Sequence, residues 1–199
     1  MPSFRVIAPS DYRAMPWRNG QGTTTEIAVE SSEGGRFRWR LSIADVAQSG
    51  PFSEFPGYER VIAVAEGAGM LLTVSGRERE WLDPDSEPYA FSGDAETHCT
   101  LLGGPIRDFN LIYDRVRCVG TLAALRFGPA RLRREIHGER AFLFALQGDL
   151  IVDAGASGVY GVTTGGTLAV AGHAGPLVVA GPPGGVAFLA EIGTAPVSP

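Results

Sequence analysis

The chain contains no lysine; all 17 of its basic residues are arginine. Arginine codons are GC-rich, so the absence reflects genome composition and selects no function. Basic charge is not in excess either: 17 basic against 22 acidic residues leave a net charge of −5. Binding to nucleic acid by phosphate neutralisation needs a basic surface, so this balance argues against it. Cysteine is scarce, with only Cys99 and Cys118. Two widely spaced cysteines form neither a zinc pattern nor a disulfide framework, and they read as small buried residues of a reducing compartment. No apolar run approaches the ~20 residues of a membrane-spanning helix. The start, MPSFRVIAPSDYRAMPW, lacks the basic head and apolar core of a secretory signal. These absences predict a cytoplasmic protein that engages neither membrane nor nucleic acid.

Glycine and proline are plentiful, at 27 and 14 of 199 residues. They recur as punctuation between apolar runs, the pattern of many short strands and tight turns. The segment Gly50 to Leu72, GPFSEFPGYERVIAVAEGAGMLL, organises the reading. Val61, Ile62, Val64 and Ala65 form a run too short for a typical helix, and Glu66-Gly67-Ala68-Gly69 follows as a turn. Met70 to Val74 then reads as the returning strand of a buried hairpin with Arg60 at its mouth. A charged group there is either lifted into solvent or turned inward with a partner.

Upstream, Met15-Pro16-Trp17-Arg18-Asn19-Gly20-Gln21-Gly22 places a large aromatic, an arginine and an asparagine beside a turn. It reads either as a plain turn with a packed Trp17 or as a pocket-edge loop. Phe37 to Ile43 alternates strictly: Phe37, Trp39, Leu41 and Ile43 share one face, and Arg38, Arg40 and Ser42 the other. The polar face either meets water or, in a barrel with a wet interior, points at a ligand. Asp108 to Tyr113 reads as the strand that closes the first half.

The second half repeats the first. Phe142 to Val152 echoes Val61 to Leu71, with Gln147-Gly148 answering Glu66-Gly67 at an offset of 81 positions. Val178 to Pro182 answers Leu101 to Pro105 at an offset of 77. The expected architecture is therefore all-β: two double-stranded β-helix (jelly-roll) barrels of the cupin kind with few short helices. Residues 1–115 should form an N-terminal barrel with a pocket. Residues 116–199 should form a degenerate C-terminal barrel, small and apolar in composition.

The metal-binding cupin pattern, G(X)5HXH(X)3-4E(X)6G, is altered here. With Gly67 as its final glycine, Arg60 stands at the glutamate position, and no histidine occupies the segment before it. The chain has only His98, His137 and His173. No metal and no cofactor is expected. Arginine in place of the glutamate inverts the sign of the pocket, and a guanidinium binds carboxylates in a bidentate fork. The competing reading is that Arg60 pairs with Glu54, Glu59 or Asp94 and only braces the hairpin. For an enzyme, His98 is the one candidate general base.

Four blocks, MPWRNGQGTTTEI, WRLSIADV, GPFSEFPGYERVIAVAEGAGM and FSGD with GGPIRDFNLI, resemble the HutD/Ves family of bicupins. The resemblance implies a bacterial cytoplasmic bicupin linked to histidine utilisation. It implies a non-catalytic sensor or modulator that binds a small carboxylate such as urocanate or a formylated glutamate. Carried over by position, the ligand-binding candidates are Arg60, Trp17, Asn19, Thr23, Arg40 and Ser42. Two departures bear on specificity: Gln21 replaces a glycine, and Thr25 stands where an arginine is common. The alternative is a metal-independent cupin enzyme, such as an isomerase of a small acid. The expected assembly is a monomer or homodimer.

Overall fold

The computed structural model describes residues 1–17, 22–76, 78–173 and 175–196. Short β-strands with glycine and proline between them fill the described chain, and its helical content is three single turns of 3-10 helix, Pro9–Asp11, Glu33–Gly35 and Gly155–Ser157. The chain divides into two compact units, one of Arg13–Val119 and one of Met1–Tyr12 with Gly120–Pro196.

The first unit is built from two sheets. Six strands run in the order Arg13–Pro16, Gly22–Ser31, Phe37–Val46, Ile106–Asp114, Tyr58–Glu66, Tyr89–Ser92. Four strands form the other sheet, in the order Gly50–Pro51, Thr97–Leu101, Met70–Val74, Glu78–Leu82. Ile62, Val64, Met70, Leu72, Phe91, Cys99 and Ile106 form part of the buried cluster that draws on both sheets. The second unit repeats the plan with sheets of five and four strands. Its core is built from aliphatic residues with few aromatics, including Leu143, Leu150, Val152, Leu168 and Leu177.

Two expectations are corrected. Tyr58–Glu66 and Met70–Val74 do not form a hairpin, because they lie in different sheets. The Glu66 to Gly69 turn carries the chain from one sheet to the other. Gly67 and Gly69 both have φ of +101°, and a Cβ on either would meet a backbone carbonyl, Pro105 O at 2.7 Å or Leu82 O at 2.4 Å. An apolar run, a glycine turn and a second apolar run describe a hairpin and a sheet-to-sheet corner equally well. The same crossing recurs between Arg140–Gln147 and Leu150–Asp153.

The second correction concerns the N-terminus. Residues 1–12, expected in the first barrel, belong to the second unit. Ser3–Ile7 pairs antiparallel with Thr167–Ala171. Phe4 stacks on Tyr160 with ring centres 4.9 Å apart, and the Tyr12 hydroxyl donates to Gly165 O at 2.9 Å. An apolar strand finds its partner by surface complementarity, which has no local signature.

Candidate functional site

The strand Phe37–Val46, which alternates strictly as far as Ile43, turns its Arg40 and Ser42 face into the first unit. Three cross-strand rows follow from the register. Arg40 lies opposite Ile112, Ile112 opposite Arg60, and Arg60 opposite Phe91. In the next row Ser42, Asn110 and Ile62 are neighbours. In the third, Thr24, Ala44, Asp108 and Val64 are neighbours. Because side chains alternate along a strand, Arg40, Ser42 and Ala44 share a face with Asp108, Asn110 and Ile112. These residues line a cavity of about 540 Å³, with Trp17, Phe52, Phe55 and Arg60 among its other walls. That volume suits a small organic molecule.

Arg60 is 6% exposed. Its Nη2 donates to Asn110 Oδ1 at 2.9 Å and its Nη1 to Ser53 O at 3.3 Å, while its buried Nε has no partner among the described residues. Its guanidinium carbon sits 4.9 Å from the Phe91 ring centre and 5.4 Å from those of Phe52 and Phe55. Aromatic faces offset part of the cost of burying the cation. Burial nevertheless lowers its pKa to about 10, against a partial opposing effect of Asp108. At neutral pH Arg60 stays charged.

None of the partners weighed for Arg60 in the sequence takes it up. Glu59 and Asp94 pair with Arg115 instead, Glu59 at 3.4 Å from its Nε and Asp94 in a direct hydrogen bond from its Nη2. Glu54 is exposed. Arg60 is thus an inward cation with no carboxylate directly on it among the described residues.

Arg40 is a second cation in the same cavity. Its guanidinium carbon lies 5.1 Å from the Phe37 ring centre and 5.3 Å from that of Phe55. Burial lowers its pKa, with Glu26 on the neighbouring strand offsetting this in part. The Phe55 ring therefore has an arginine within contact at two places. Trp17 closes one wall; its indole Nε1 donates to Thr24 Oγ1 at 2.8 Å.

Among the described residues the one carboxylate lining the cavity is Asp108, 1% exposed. Asn110 bridges it to Arg60: Asn110 Nδ2 donates to Asp108 Oδ1, and Asn110 Oδ1 accepts from Arg60. Burial pushes the Asp108 carboxyl up to about 7, with the charge of Arg60 acting against the rise. Sequence reading missed Asp108 and Asn110 as site residues. Part of the signal was present, since the polar Asp108 and Asn110 alternate with the apolar Phe109 and Leu111.

The other predicted site residues divide. Trp17, Arg40, Ser42 and Arg60 line the cavity. Thr23 is not among the lining residues; its neighbour Thr24 is. The two point to opposite faces, so an error of one position reverses the side chain. Thr25 is likewise opposite Ile43, off the cavity rows. Asn19 and Gln21 lie outside the described residues. His98 is exposed and lines no part of the cavity. The described lining residues, two guanidiniums with one carboxylate and no imidazole, do not fit a transition-metal site. Among the described residues no three His, Cys, Asp or Glu side chains converge as a ligand set.

The wall that carries Phe52 and Phe55 is fixed from outside. Phe55 N donates to Gly93 O at 2.7 Å, Gly93 N to Tyr58 O at 2.8 Å, and Phe52 N to Thr97 O at 2.8 Å. A Cβ on Gly93 would lie 2.6 Å from Phe55 O and 2.8 Å from Tyr58 O. Gly93→Ala is expected to cost about 1–3 kcal/mol of stability by overpacking. It should also displace Phe55 and so reshape the cavity wall. Thermal unfolding checks the loss of stability.

The model of the family described as HutD matches residues 9–183. The chain belongs to the HutD family. An uncharacterised 21.2 kDa protein of Pseudomonas putida, from the hutC 3' region, is 51% identical over 114 residues, or 57% of this chain and 60% of that protein. Protein Ves of Citrobacter koseri is 40% identical over 112 residues, 54% of this chain and 58% of Ves. The chain thus spans about three fifths of the length of the curated relatives it matches. The structure of HutD from Pseudomonas fluorescens SBW25 superposes with a TM-score of 0.83 at 38% identity, covering 98% of this chain and all of that one. The HutD-family chain is a bicupin by this likeness and by its paired sheets. No helix among the described residues is long and apolar enough to cross a membrane.

Proposed function

We propose that this HutD-family protein binds a small organic carboxylate in the Arg60 cavity and acts as a non-catalytic sensor or modulator of histidine utilisation. One observation carries the reading: Arg60 is a buried cation lining the cavity with its Nε unpartnered among the described residues. A carboxylate supplies what that group lacks, a charged acceptor with fork geometry. Arg40 adds positive potential, and the Trp17, Phe52 and Phe55 rings offer apolar area for a planar or aliphatic body. The relative in the hutC 3' region supports the pathway link. Urocanate and N-formylglutamate are the candidate ligands, and the cytoplasm is the compartment in which the protein would meet them. Monomer and homodimer both accommodate the reading, since the cavity is built from one chain. Calorimetric titration with each acid, together with mass spectrometry of ligand carried through purification, tests it. Saturable binding at one site per chain is expected.

A metal-independent isomerase is the second reading. It is favoured by Asp108, a cavity carboxyl held near the neutral range where general bases work best. A time course of each acid with protein, followed by proton NMR, separates the two. Unchanged substrate after many protein equivalents supports the binder; a protein-dependent product supports the enzyme.

A further inference from the structure

Asp108 creates a difficulty for any anion that enters the cavity. Its carboxyl is buried, it lines the same space, and no guanidinium touches it directly among the described residues. Arg60 reaches it only through Asn110. An ionised ligand and an ionised Asp108 would repel each other at low dielectric, where charges interact far more strongly than in water. We propose that the cavity takes up its anion together with one proton, which Asp108 carries. This inference rests on the carboxylate-binding reading above and names the residue that makes binding depend on pH.

The surroundings of Asp108 leave few other places for the proton. On its own strand, Asn110 donates to it. From Phe37–Val46 come Arg40, Ser42 and the Ala44 backbone N–H, which also bonds the carboxylate. Asp45 on the same strand repels it from the other face, but Asp45 is half exposed and paired with Arg107 at 3.0 Å. From Tyr58–Glu66 comes Arg60, which remains protonated. From Thr97–Leu101 comes Cys99, whose thiol burial pushes up to about 12, so it stays neutral. Gly22–Ser31 supplies Thr24 in the Asp108 row and Glu26 opposite Ser42. Among the described residues no histidine lines the cavity. Among the described residues Asp108 is the lining carboxyl, and its burial raises its pKa toward neutrality.

A bound anion stabilises the protonated carboxyl, so the pKa of Asp108 rises on binding and a proton is taken from solvent. Protonated Asp108 turns from acceptor to donor and can offer its O–H to the ligand. Affinity is flat in acid, where Asp108 is already protonated. It falls as pH rises through neutrality, with a limiting slope of about tenfold per pH unit for one linked proton.

N-formylglutamate and glutarate are suitable probes, because their carboxylates titrate well below neutrality and add no proton of their own near pH 7. Titration calorimetry at pH 7.5 in phosphate and in Tris, buffers of different ionisation enthalpy, counts the protons taken up. Wild type is expected to take up roughly half a proton or more per ligand at that pH and nearly none at pH 5.5. Asp108→Asn should take up none at either pH and bind with a flat profile. Binding by wild type with no proton uptake at pH 7.5 overturns the inference and leaves the carboxylate-binding reading intact. An Asp108→Asn protein that keeps the wild-type pH profile does the same. No binding at any pH overturns both. The wild-type buffer comparison stands alone if the variant does not fold.

Discussion

Arg60→Ala is expected to weaken binding of N-formylglutamate or urocanate by roughly ten- to a hundredfold. A hydrogen bond to a charged group contributes about 1.5–3 kcal/mol, and each tenfold in affinity is about 1.4 kcal/mol. The substitution does more than remove a contact. It empties the space among Phe52, Phe55 and Phe91 and leaves the Asn110 and Ser53 acceptors without their donor. It also removes the charge that restrains the Asp108 pKa. Some loss of stability is therefore expected with the loss of affinity, because Arg60 is packed among rings rather than standing free in a wet pocket. Arg60→Lys keeps the charge but not the fork, so it should recover only part of the binding. Titration of all three proteins, with unfolding measured alongside, separates the two effects. Equal affinities would mean that the ligand sits elsewhere.

Rising pH is expected to destabilise the protein between about pH 4 and 7, to the extent that Asp108 governs it. The folded-state pKa of Asp108 is raised to about 7, while an unfolded aspartate titrates near ~3.9. Over that window the folded state holds the proton that the unfolded state has released. The slope of unfolding free energy with pH is then negative, and the stabilisation present in acid is lost as pH passes through the folded pKa. Asp108→Asn removes this linkage. The variant should match wild type near pH 4 and exceed it near pH 8 by on the order of 2–4 kcal/mol. Urea unfolding of both proteins across that range provides the measurement. Other groups titrate too: hydrogen bonds to Gly57 and Arg115 hold the Asp94 carboxyl below its ordinary value. They act equally in both proteins, so the difference between the two curves isolates Asp108. Parallel curves would show that Asp108 titrates normally.

The chain's own pattern determined the strands, the duplication and the polar face of Phe37–Val46. Period-two alternation and glycine punctuation are local properties, and they survive into the structure nearly unchanged. The count back from Gly67 likewise placed Arg60 on an inward strand face, where it lines the cavity. Tertiary structure decided what each run pairs with. Ser3–Ile7 joins a strand more than 150 residues away, and Tyr58–Glu66 parts from Met70–Val74 to enter the other sheet. It also decided the electrostatics. Glu59 is next to Arg60 in sequence and Asp94 follows on a later turn, yet Arg115 takes both. Asp108 and Asn110 meet Arg60 across about fifty residues because register aligns their strands. Alternation fixes the face a residue occupies, but the charge it meets there depends on which strand lies alongside, and that is settled by packing over the whole unit.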